Sequence, residues 1–489
     1  MTATVARAAV DPPRPKLLGL FVAAALLHTI AFAVWYPDVV VSIDEAHYLD
    51  QASALTDGST TRPVTDFWTG AVSEQRASAY PPATSVLFAG PFWLAGPRAP
   101  WIVPFLSYLA AVGVFALLLL RFPGQPLHPL FAALLAVYPG AAVMSRLAMS
   151  DLSSLLLVNL GWLCFWTGAQ HRWRWLLAGM LAGATLAFRE APSMAFAPFF
   201  LGALLRREPR AWQLVVGGLV GVLARPALAA VLYGEPWLWK NPGGHQIGLR
   251  YIAENWQLYL AVVFVFLPAG LVAVLAYRGP RRPELIVSVL AYTFFHLCWW
   301  LGGTSGGFYS LVTGGRHLLS VVPLYLIAIA HGWERLRAVL PPPRAQLAQR
   351  LVGAALAIAL AASAGVHPAL WHWARAHHRV RDGICENTTP QTRLVGDWSL
   401  MAKWLSVTEC PRAFLDANRF DAPRVAALVR AGVDVRAARV LRRDSPVWRA
   451  YVDPLSAVLG RHEAGLSCEP IAHVAAADWM ELEVCRFRL

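Results

Sequence analysis

Charged residues are scarce in this sequence: Asp, Glu, Lys and Arg make up 15% of its 489 residues. A soluble domain carries about a quarter. Apolar residues reach 57%, and the mean hydropathy is +0.47. The shortage of charge excludes a chain that is water-soluble throughout, and the apolar excess excludes intrinsic disorder. Only six cysteines are present, none in a CxxC spacing, so a small disulfide scaffold and a zinc-ribbon site are also excluded.

The shortage of charge is confined to one part of the chain. Residues 1–367 contain 40 charged residues, whereas the 122 residues from 368 to 489 contain 31. This division predicts an α-helical polytopic membrane protein with a small α/β domain at its C-terminus. We expect a short N-terminal segment at 1–16, a transmembrane module at 17–367 with a long first outer loop at 37–100, and an extracytoplasmic domain at 368–489.

Apolar runs of about 17–25 residues are long enough to cross the hydrocarbon core as helices. The sequence has eleven candidate spans, near residues 17–36, 101–120, 128–145, 152–168, 173–188, 192–205, 211–233, 257–277, 284–301, 318–333 and 351–368. A further apolar stretch at 82–97 opens with two prolines and contains a third. We predict that it is an interfacial or re-entrant helix.

The distribution of cations supports that choice, because short cytoplasmic loops are enriched in Lys and Arg. If 82–97 does not cross, the inside segments hold 16 cations and only four acids. If it crosses, thirteen of those cations move outside. The predicted topology therefore has the N-terminus in the cytoplasm and the C-terminus outside, and the net charge of +13 follows membrane topology rather than nucleic-acid binding. The first span could also be a signal peptide, although its long apolar core favours an uncleaved anchor.

Polar residues recur in the predicted outer loops, where charges near a bilayer are often functional. They are Asp44, Glu45, His47 and Tyr80 in the first loop, Arg146 and Asp151 in the second, Arg189 in the third, Lys240 in the fourth, and Arg316 and His317 in the fifth. Structural roles remain open for several of them. First-turn acids such as Asp44 and Glu45 favour a helix dipole, and Asp151 could be the N-cap of the next span. Arg189 could pair locally with Glu190, and Arg316 could reach lipid headgroups.

The order of these motifs is informative. A long first outer loop begins with Asp44-Glu45 and later contains Tyr80-Pro81-Pro82 before an apolar helix. A second loop has Arg146 and Asp151 in an Arg-x-x-x-x-Asp pattern, and a late loop contains the run Gly-Gly-Arg-His-Leu-Leu-Ser-Val-Val-Pro at 314–323. Over about residues 17–340 the chain resembles the GT-C superfamily of membrane glycosyltransferases, nearest to protein O-mannosyltransferases and lipid A aminoarabinose transferases.

The resemblance implies an enzyme that moves a sugar from a polyprenyl-phosphate carrier to a glycan, lipid or protein acceptor at the outer face. Asp44 corresponds to the family's proposed general base, Asp151 to its second essential acid, and Arg316 to the arginine that contacts the carrier phosphate. Tyr80 stands where some relatives have lysine. Lys240, Arg146 or Arg189 could supply the missing cation, and Tyr80, His47 and His317 are candidate substrate contacts.

The residue types suit this chemistry. A carboxylate accepts the proton of an attacking hydroxyl, and a guanidinium stabilises charge on a leaving phosphate. Asp44, Glu45 and Asp151 could instead hold a divalent ion such as Mg²⁺ or Mn²⁺. Alternatives from other classes are a surface-glycan polymerase or ligase and a transporter of lipid-linked sugars. No half-to-half repeat of the transporter kind is visible.

Four cysteines lie in the predicted outside domain, namely Cys385, Cys410, Cys468 and Cys485. An extracytoplasmic compartment is usually oxidising, so we expect two disulfides, for which the sequence allows three pairings. We also expect a helix within Asp421–Val433 and strands at Val435–Val440 and Glu481–Phe487. Acceptor docking, covering of the site and a purely stabilising role all remain open for this domain.

Overall fold

The structure is a computed structural model of the full chain. It describes residues 15–78, 80–124, 126–168, 171, 173–236, 247–267, 269–299, 307–396, 410–442, 465–477 and 480–489. Lys240, a candidate phosphate-binding residue, lies outside the described residues.

Helices dominate the first 386 residues. They are α1 (Pro15–Val34), α2 (Ile43–Thr56), α3 (Pro82–Ala95), α4 (Ile102–Leu120), α5 (Ala132–Val137), α6 (Pro139–Met144), α7 (Asp151–Trp166), α8 (Arg174–Ala184), α9 (Ala197–Leu205), α10 (Ala211–Val222), α11 (Ala224–Tyr233), α12 (Ile252–Phe266), α13 (Gly270–Leu275), α14 (Arg282–Leu297), α15 (Gly307–Leu318), α16 (Val322–Val339), α17 (Pro342–Ser363) and α18 (Val366–Glu386). A two-stranded hairpin, β1 (Thr61–Thr65) and β2 (Val72–Arg76), lies between α2 and α3.

Each predicted span coincides with helical structure, although several spans are broken. The span at 128–145 divides between α5 and α6 at Tyr138, which adopts an extended conformation before Pro139. The clash between a proline ring and the preceding residue disfavours helix there. The span at 192–205 starts with a 3-10 segment, Ala191–Phe196, before α9. The breaks therefore lie largely where proline interrupts an apolar run.

Three helical stretches in the described part of the chain are both long and apolar enough to cross a membrane. They are Ile102–Leu120, Ala211–Tyr233 and Pro342–Glu386. Large apolar side chains also face outward, among them Leu219, Val231 and Ile358. An outer surface of this kind fits a bilayer better than water. The number of eleven crossings stays a prediction.

Close backbone packing joins α8 and α10. Gly179 and Gly183 of α8 face Gly217 and Gly221 of α10, and a Cβ on any of the four would collide with a carbonyl oxygen or its neighbouring backbone. Small residues four apart let two helices approach in this way within a membrane.

The apolar stretch at 82–97 forms α3, a helix of 14 residues. At 1.5 Å per residue it is about 21 Å long, which is short for a straight crossing of a core about 30 Å thick. Phe88 is fully buried in the cluster that also contains Leu49 of α2, whereas Trp93 and Leu94 are 75% exposed. One face thus packs on the protein and the other is apolar and outward, as an interfacial helix requires.

The C-terminal part is a five-stranded sheet with one described helix in sequence between its strands. The strands are β3 (Arg393–Gly396), β4 (Ala413–Asp416), β5 (Val435–Arg442), β6 (Ser467–Ala477) and β7 (Met480–Arg488), in the order β4-β3-β5-β7-β6, and the helix is α19 (Ala422–Arg430). The first three strands are mutually parallel and the last two pair antiparallel. The predicted α/β character of the tail is confirmed.

Two cysteine pairs lie within this region. Cys385 at the end of α18 pairs with Cys410, and Cys468 of β6 pairs with Cys485 of β7. Their Cα atoms are 5.8 Å and 5.4 Å apart, within the usual range for disulfides. Of the three pairings that the sequence allowed, the structure therefore selects one.

The predicted first outer loop is anchored to this C-terminal sheet. Phe67, at the turn of the β1–β2 hairpin, is buried in a cluster with Val395 and Leu415. The Arg393 guanidinium donates hydrogen bonds to the backbone oxygens of Phe67 and Trp68 at 2.7 Å and 2.6 Å. The sheet therefore fixes the loop that carries Asp44 at its beginning.

Candidate active site

Helix α2 presents two adjacent acids in its first turn. Ser42 is the N-cap and accepts a hydrogen bond from the backbone N–H of Asp44 at 3.3 Å. Consecutive residues on an α-helix point about 100° apart, so Asp44 and Glu45 cannot face the same partner. The structure separates them accordingly: the Asp44 side chain is 25% exposed, whereas Glu45 is fully buried.

Asp44 is held from two sides by distant parts of the chain. The Tyr80 hydroxyl donates to its Oδ1 at 2.7 Å, and Arg316 Nη2 donates to its Oδ2 at 3.0 Å. The Tyr80 ring stacks on His47 with ring centroids 5.1 Å apart. The first and the last of the predicted outer loops thus meet at one carboxylate.

Helix α15 carries Arg316, and contacts with Tyr138 and Gly140 hold this helix in place. The Tyr138 hydroxyl donates to the Gly315 backbone oxygen at 2.8 Å. Gly140 lies against the same turn, because a Cβ there would be 3.0 Å from the Arg316 backbone nitrogen. The close approach of α6 to α15 therefore sets the position from which the guanidinium reaches Asp44.

A second acid–cation group lies next to the first. Arg189 binds Asp151 Oδ1 through a short ion pair and, through Nη2, contacts His317 Nδ1 at 3.1 Å. The Asp151 side chain is 2% exposed. Because Arg316 and His317 are consecutive in α15, one helical turn connects the Asp44 pair to the Asp151–Arg189 pair.

Tyr48 lies between the two groups. It follows Asp44 by four residues and so shares its face of α2, and its hydroxyl donates to Ser150 Oγ at 3.1 Å. Burial raises the pKa of Tyr48 well above its usual range, and the nearby charges of Asp44 and Asp151 act in the same direction. The sequence interpretation missed Tyr48, although the i,i+4 spacing from Asp44 could have indicated it.

Glu45 points into the protein rather than toward Arg316. Its Oε1 accepts from Trp101 Nε1 at 3.1 Å and from the Ala148 N–H at 2.8 Å, and its Oε2 accepts from the Val41 N–H at 3.0 Å. Burial raises the pKa of Glu45 to about 7, although these three hydrogen bonds oppose the shift. Glu45 thus joins the predicted first outer loop to the predicted second one, and its role is structural.

Comparison with known proteins identifies the fold. No family model matches the sequence, and no curated protein is similar to it at sequence level. Among solved structures, ArnT from Cupriavidus metallidurans in the apo state aligns with a TM-score of 0.58 and 16% identity, covering 96% of this chain and 98% of that one. The same protein bound to undecaprenyl phosphate aligns with a TM-score of 0.56 and 15% identity, covering 97% and 98%. The chain has the ArnT fold. The predicted architecture, a helical module followed by a small C-terminal α/β domain, is thereby confirmed at the level of the fold.

Within this ArnT fold, one predicted phosphate ligand is bound elsewhere. Arg146 forms a short hydrogen bond to the Trp35 backbone oxygen and contacts His367 Nδ1 at 2.9 Å through Nη1. Its side chain is almost fully buried. The guanidinium therefore joins the predicted second outer loop to α18 and to the residue that follows α1, and the structure does not bring it to the Asp44–Arg316 pair. Of the candidate cations that the structure describes, Arg189 and Arg316 remain.

The donor set does not suit a divalent ion. Among the described residues no group of three His, Cys, Asp or Glu side chains is arranged to hold a metal. Asp44 faces Arg316, Asp151 faces Arg189, and both oxygens of Glu45 accept N–H groups. Oxygen ligands for Mg²⁺ or Mn²⁺ must converge on one point, and these carboxylates do not.

Replacing Gly140 by alanine tests the packing that positions Arg316. The added methyl group would lie 2.7 Å from the Tyr138 ring and 3.0 Å from the Arg316 backbone nitrogen. Overpacking of this kind costs about 1–3 kcal/mol, so we expect the thermal unfolding midpoint in detergent to fall by a few degrees. Gly332→Ala in α16 is the matched control, since no atom lies within 4 Å of the place that its methyl group would take. Equal midpoints for the two variants would show that α15 can move away without cost.

Proposed function

We propose that the protein is an inverting glycosyltransferase that moves a sugar from a polyprenyl-phosphate carrier to an acceptor hydroxyl outside the cytoplasm. The contact between Asp44 and Arg316 carries this proposal, because it joins a carboxylate to a phosphate-binding type of cation at one partly exposed point. The ArnT fold adds support, since one structure with that fold is bound to undecaprenyl phosphate. The acceptor is a glycan, a lipid or a protein.

The proposed reaction needs one base and one anion-binding group. Asp44 accepts the proton of the acceptor hydroxyl as that oxygen bonds to the anomeric carbon. The bond from this carbon to the phosphate oxygen breaks, and the electron pair leaves on the phosphate beside Arg316. A guanidinium offers two parallel donors to phosphate and stabilises the developing charge. Attack opposite the leaving group inverts the anomeric configuration.

The Asp151–Arg189 pair contributes to the same proposed reaction site. Asp151 fixes Arg189, and His317 contacts the same guanidinium, so this cation is held beside the turn that carries Arg316. A buried carboxylate partnered in this way orients a cation more than it accepts protons. We propose that Arg189 is the second positive group for the donor phosphate, in place of the lysine that Tyr80 replaces.

The proposed location is the cell membrane. The N-terminus is in the cytoplasm, the module at 17–367 is embedded, and the domain at 368–489 is extracytoplasmic. The cation-rich segments between the predicted spans support this orientation, and so do the two cysteine pairs in the C-terminal region. A lipid donor also suits the site, because its isoprenoid tail can stay in the bilayer.

A direct assay tests the proposal. The full chain in proteoliposomes is given a panel of sugars linked to undecaprenyl phosphate, with membrane extracts as acceptors, and released undecaprenyl phosphate is measured. We expect release with at least one donor, and a drop of about 100-fold in Arg316→Gln, since a charged hydrogen bond to phosphate is lost. Transport of intact donor without release would favour a transporter. Repeated addition to a growing glycan would favour a polymerase.

A further inference from the structure

The proposed base and the proposed phosphate ligand are bonded to each other. Arg316 Nη2 donates to Asp44 Oδ2 at 3.0 Å, while Tyr80 occupies Oδ1 at 2.7 Å. A carboxylate whose charge is stabilised by a guanidinium accepts protons poorly. In this arrangement the two groups that the reaction needs are therefore held together, and neither is fully available for substrate.

Arg316 can exchange this partner for a phosphate. Its side chain is 17% exposed, and the Asp44 side chain is 25% exposed. Its other terminal nitrogen, Nη1, contacts Met149 Sδ at 3.6 Å. A phosphate offers stronger acceptors in a geometry that matches the guanidinium. Donor binding and the Asp44 contact thus compete for one cation.

Tyr80 keeps Asp44 in place when Arg316 leaves. Its hydroxyl bonds to Oδ1 rather than Oδ2, and its ring is fixed by a stack on His47 and an edge contact with Tyr48, both with centroids 5.1 Å apart. The backbone after it is also constrained, since Pro81 and Pro82 follow and begin α3. The carboxylate would therefore rotate little on losing the guanidinium.

We infer that binding of the donor phosphate activates Asp44 as the general base. The phosphate takes Arg316 from Asp44, which frees Oδ2 to accept the acceptor's proton while Tyr80 holds the carboxylate as a positioning residue. This inference rests on the proposed function. It makes the order of events obligatory: the donor binds first, and the acceptor hydroxyl is activated only afterwards.

A double-mutant cycle on binding tests the competition without relying on turnover. The dissociation constant of undecaprenyl phosphate is measured for the full chain in detergent as wild type, Asp44→Asn, Arg316→Gln and the double variant. We expect Asp44→Asn to bind about tenfold more tightly, which corresponds to about 1.4 kcal/mol. In the Arg316→Gln background the same change should give no gain, because the competitor acts through that guanidinium.

Two results would overturn the inference. One is unchanged affinity in Asp44→Asn, and the other is an equal gain with and without Arg316, which would mean plain charge repulsion. Asp44→Ala is the second variant if the asparagine lowers the unfolding midpoint. Wild type that fails to bind undecaprenyl phosphate would instead refute the proposed function, so the two failures are distinguishable.

Tyr80→Phe separates positioning from phosphate binding. The ring and its stack on His47 are retained, and only the hydroxyl that donates to Asp44 is lost. We expect kcat to fall about tenfold, with the donor KM and the dissociation constant of undecaprenyl phosphate within about threefold of wild type, as one lost charged hydrogen bond implies. A large loss of phosphate affinity with unchanged kcat would make Tyr80 a donor ligand and contradict its positioning role.

Discussion

Asp44→Asn is expected to lower sugar transfer by about 10³-fold, within the range that a positioned general base contributes. The amide keeps the size of the side chain and can still accept a hydrogen bond from Tyr80, but it cannot take the acceptor's proton. Loss of transfer should coincide with retained binding of undecaprenyl phosphate. An inactive variant that still binds the carrier separates a chemical defect from a folding defect.

The measurement is the single-turnover rate with saturating donor, which reports the chemical step. Asp57→Asn is the matched control, because Asp57 is an exposed aspartate that caps the C-terminal end of the same helix α2. It should transfer sugar at the wild-type rate. Transfer by Asp44→Asn within about threefold of wild type would remove Asp44 from the role of base, whatever its effect on binding.

The surroundings of the two aspartates explain why Asp44 rather than Asp151 is assigned this role. Asp151 is 2% exposed and lies beneath Arg189, so an acceptor hydroxyl could reach it only after that ion pair opened. Breaking a buried pair costs several kcal/mol. Asp44 is 25% exposed, so an acceptor hydroxyl can approach its carboxylate. The exposure of the carboxylate, rather than the motif alone, distinguishes the base from the acid that orients a cation.

Much of this arrangement could be predicted from the sequence, because hydropathy places loops and topology brings loops to one face. The positions of the apolar helices, the α/β tail and the meeting of Asp44 with Arg316 followed from those two facts. The inward orientation of the Glu45 side chain could not be predicted in this way. An Asp-Glu pair looks like two equal acids in a sequence, and only the packing of Trp101 and Ala148 against one of them separates their roles.

Other contacts between distant residues could not be predicted from the sequence either. Arg146 was a reasonable phosphate ligand by its loop, but its partner His367 lies 221 residues away on α18. The packing of Phe67 against the C-terminal sheet and the choice among three disulfide pairings also depend on tertiary structure. Apolar periodicity and charge specify elements and sides of a membrane, whereas such pairings depend on how those elements pack.

Glu45→Gln is expected to destabilise the protein by about 1–3 kcal/mol, the cost of leaving a buried N–H donor without an acceptor. The two carboxylate oxygens of Glu45 together accept hydrogen bonds from three N–H donors. Glutamine supplies one oxygen and an NH₂ group, which would face at least one of those donors. The unfolding midpoint should fall and transfer should decline, because the first turn of α2 carries Asp44. Glu235→Gln is the control, since Glu235 is a 67% exposed partner of Arg76 and such surface pairs contribute little.

The pH dependence of this destabilisation gives a sharper test. Burial raises the pKa of Glu45 from its ordinary 4.5 to about 7 in the folded protein. The folded state therefore binds the Glu45 proton more tightly than the unfolded state, and the resulting stabilisation is complete below about pH 4.5 and is lost as the pH rises through about 7. Glutamine does not titrate, so the difference in unfolding midpoint between wild type and Glu45→Gln should be largest near pH 5 and should narrow toward pH 8. A difference that stays constant from pH 5 to pH 8 would mean that the carboxylate is already ionised in the folded state at pH 5, and that the three N–H donors outweigh the cost of burial.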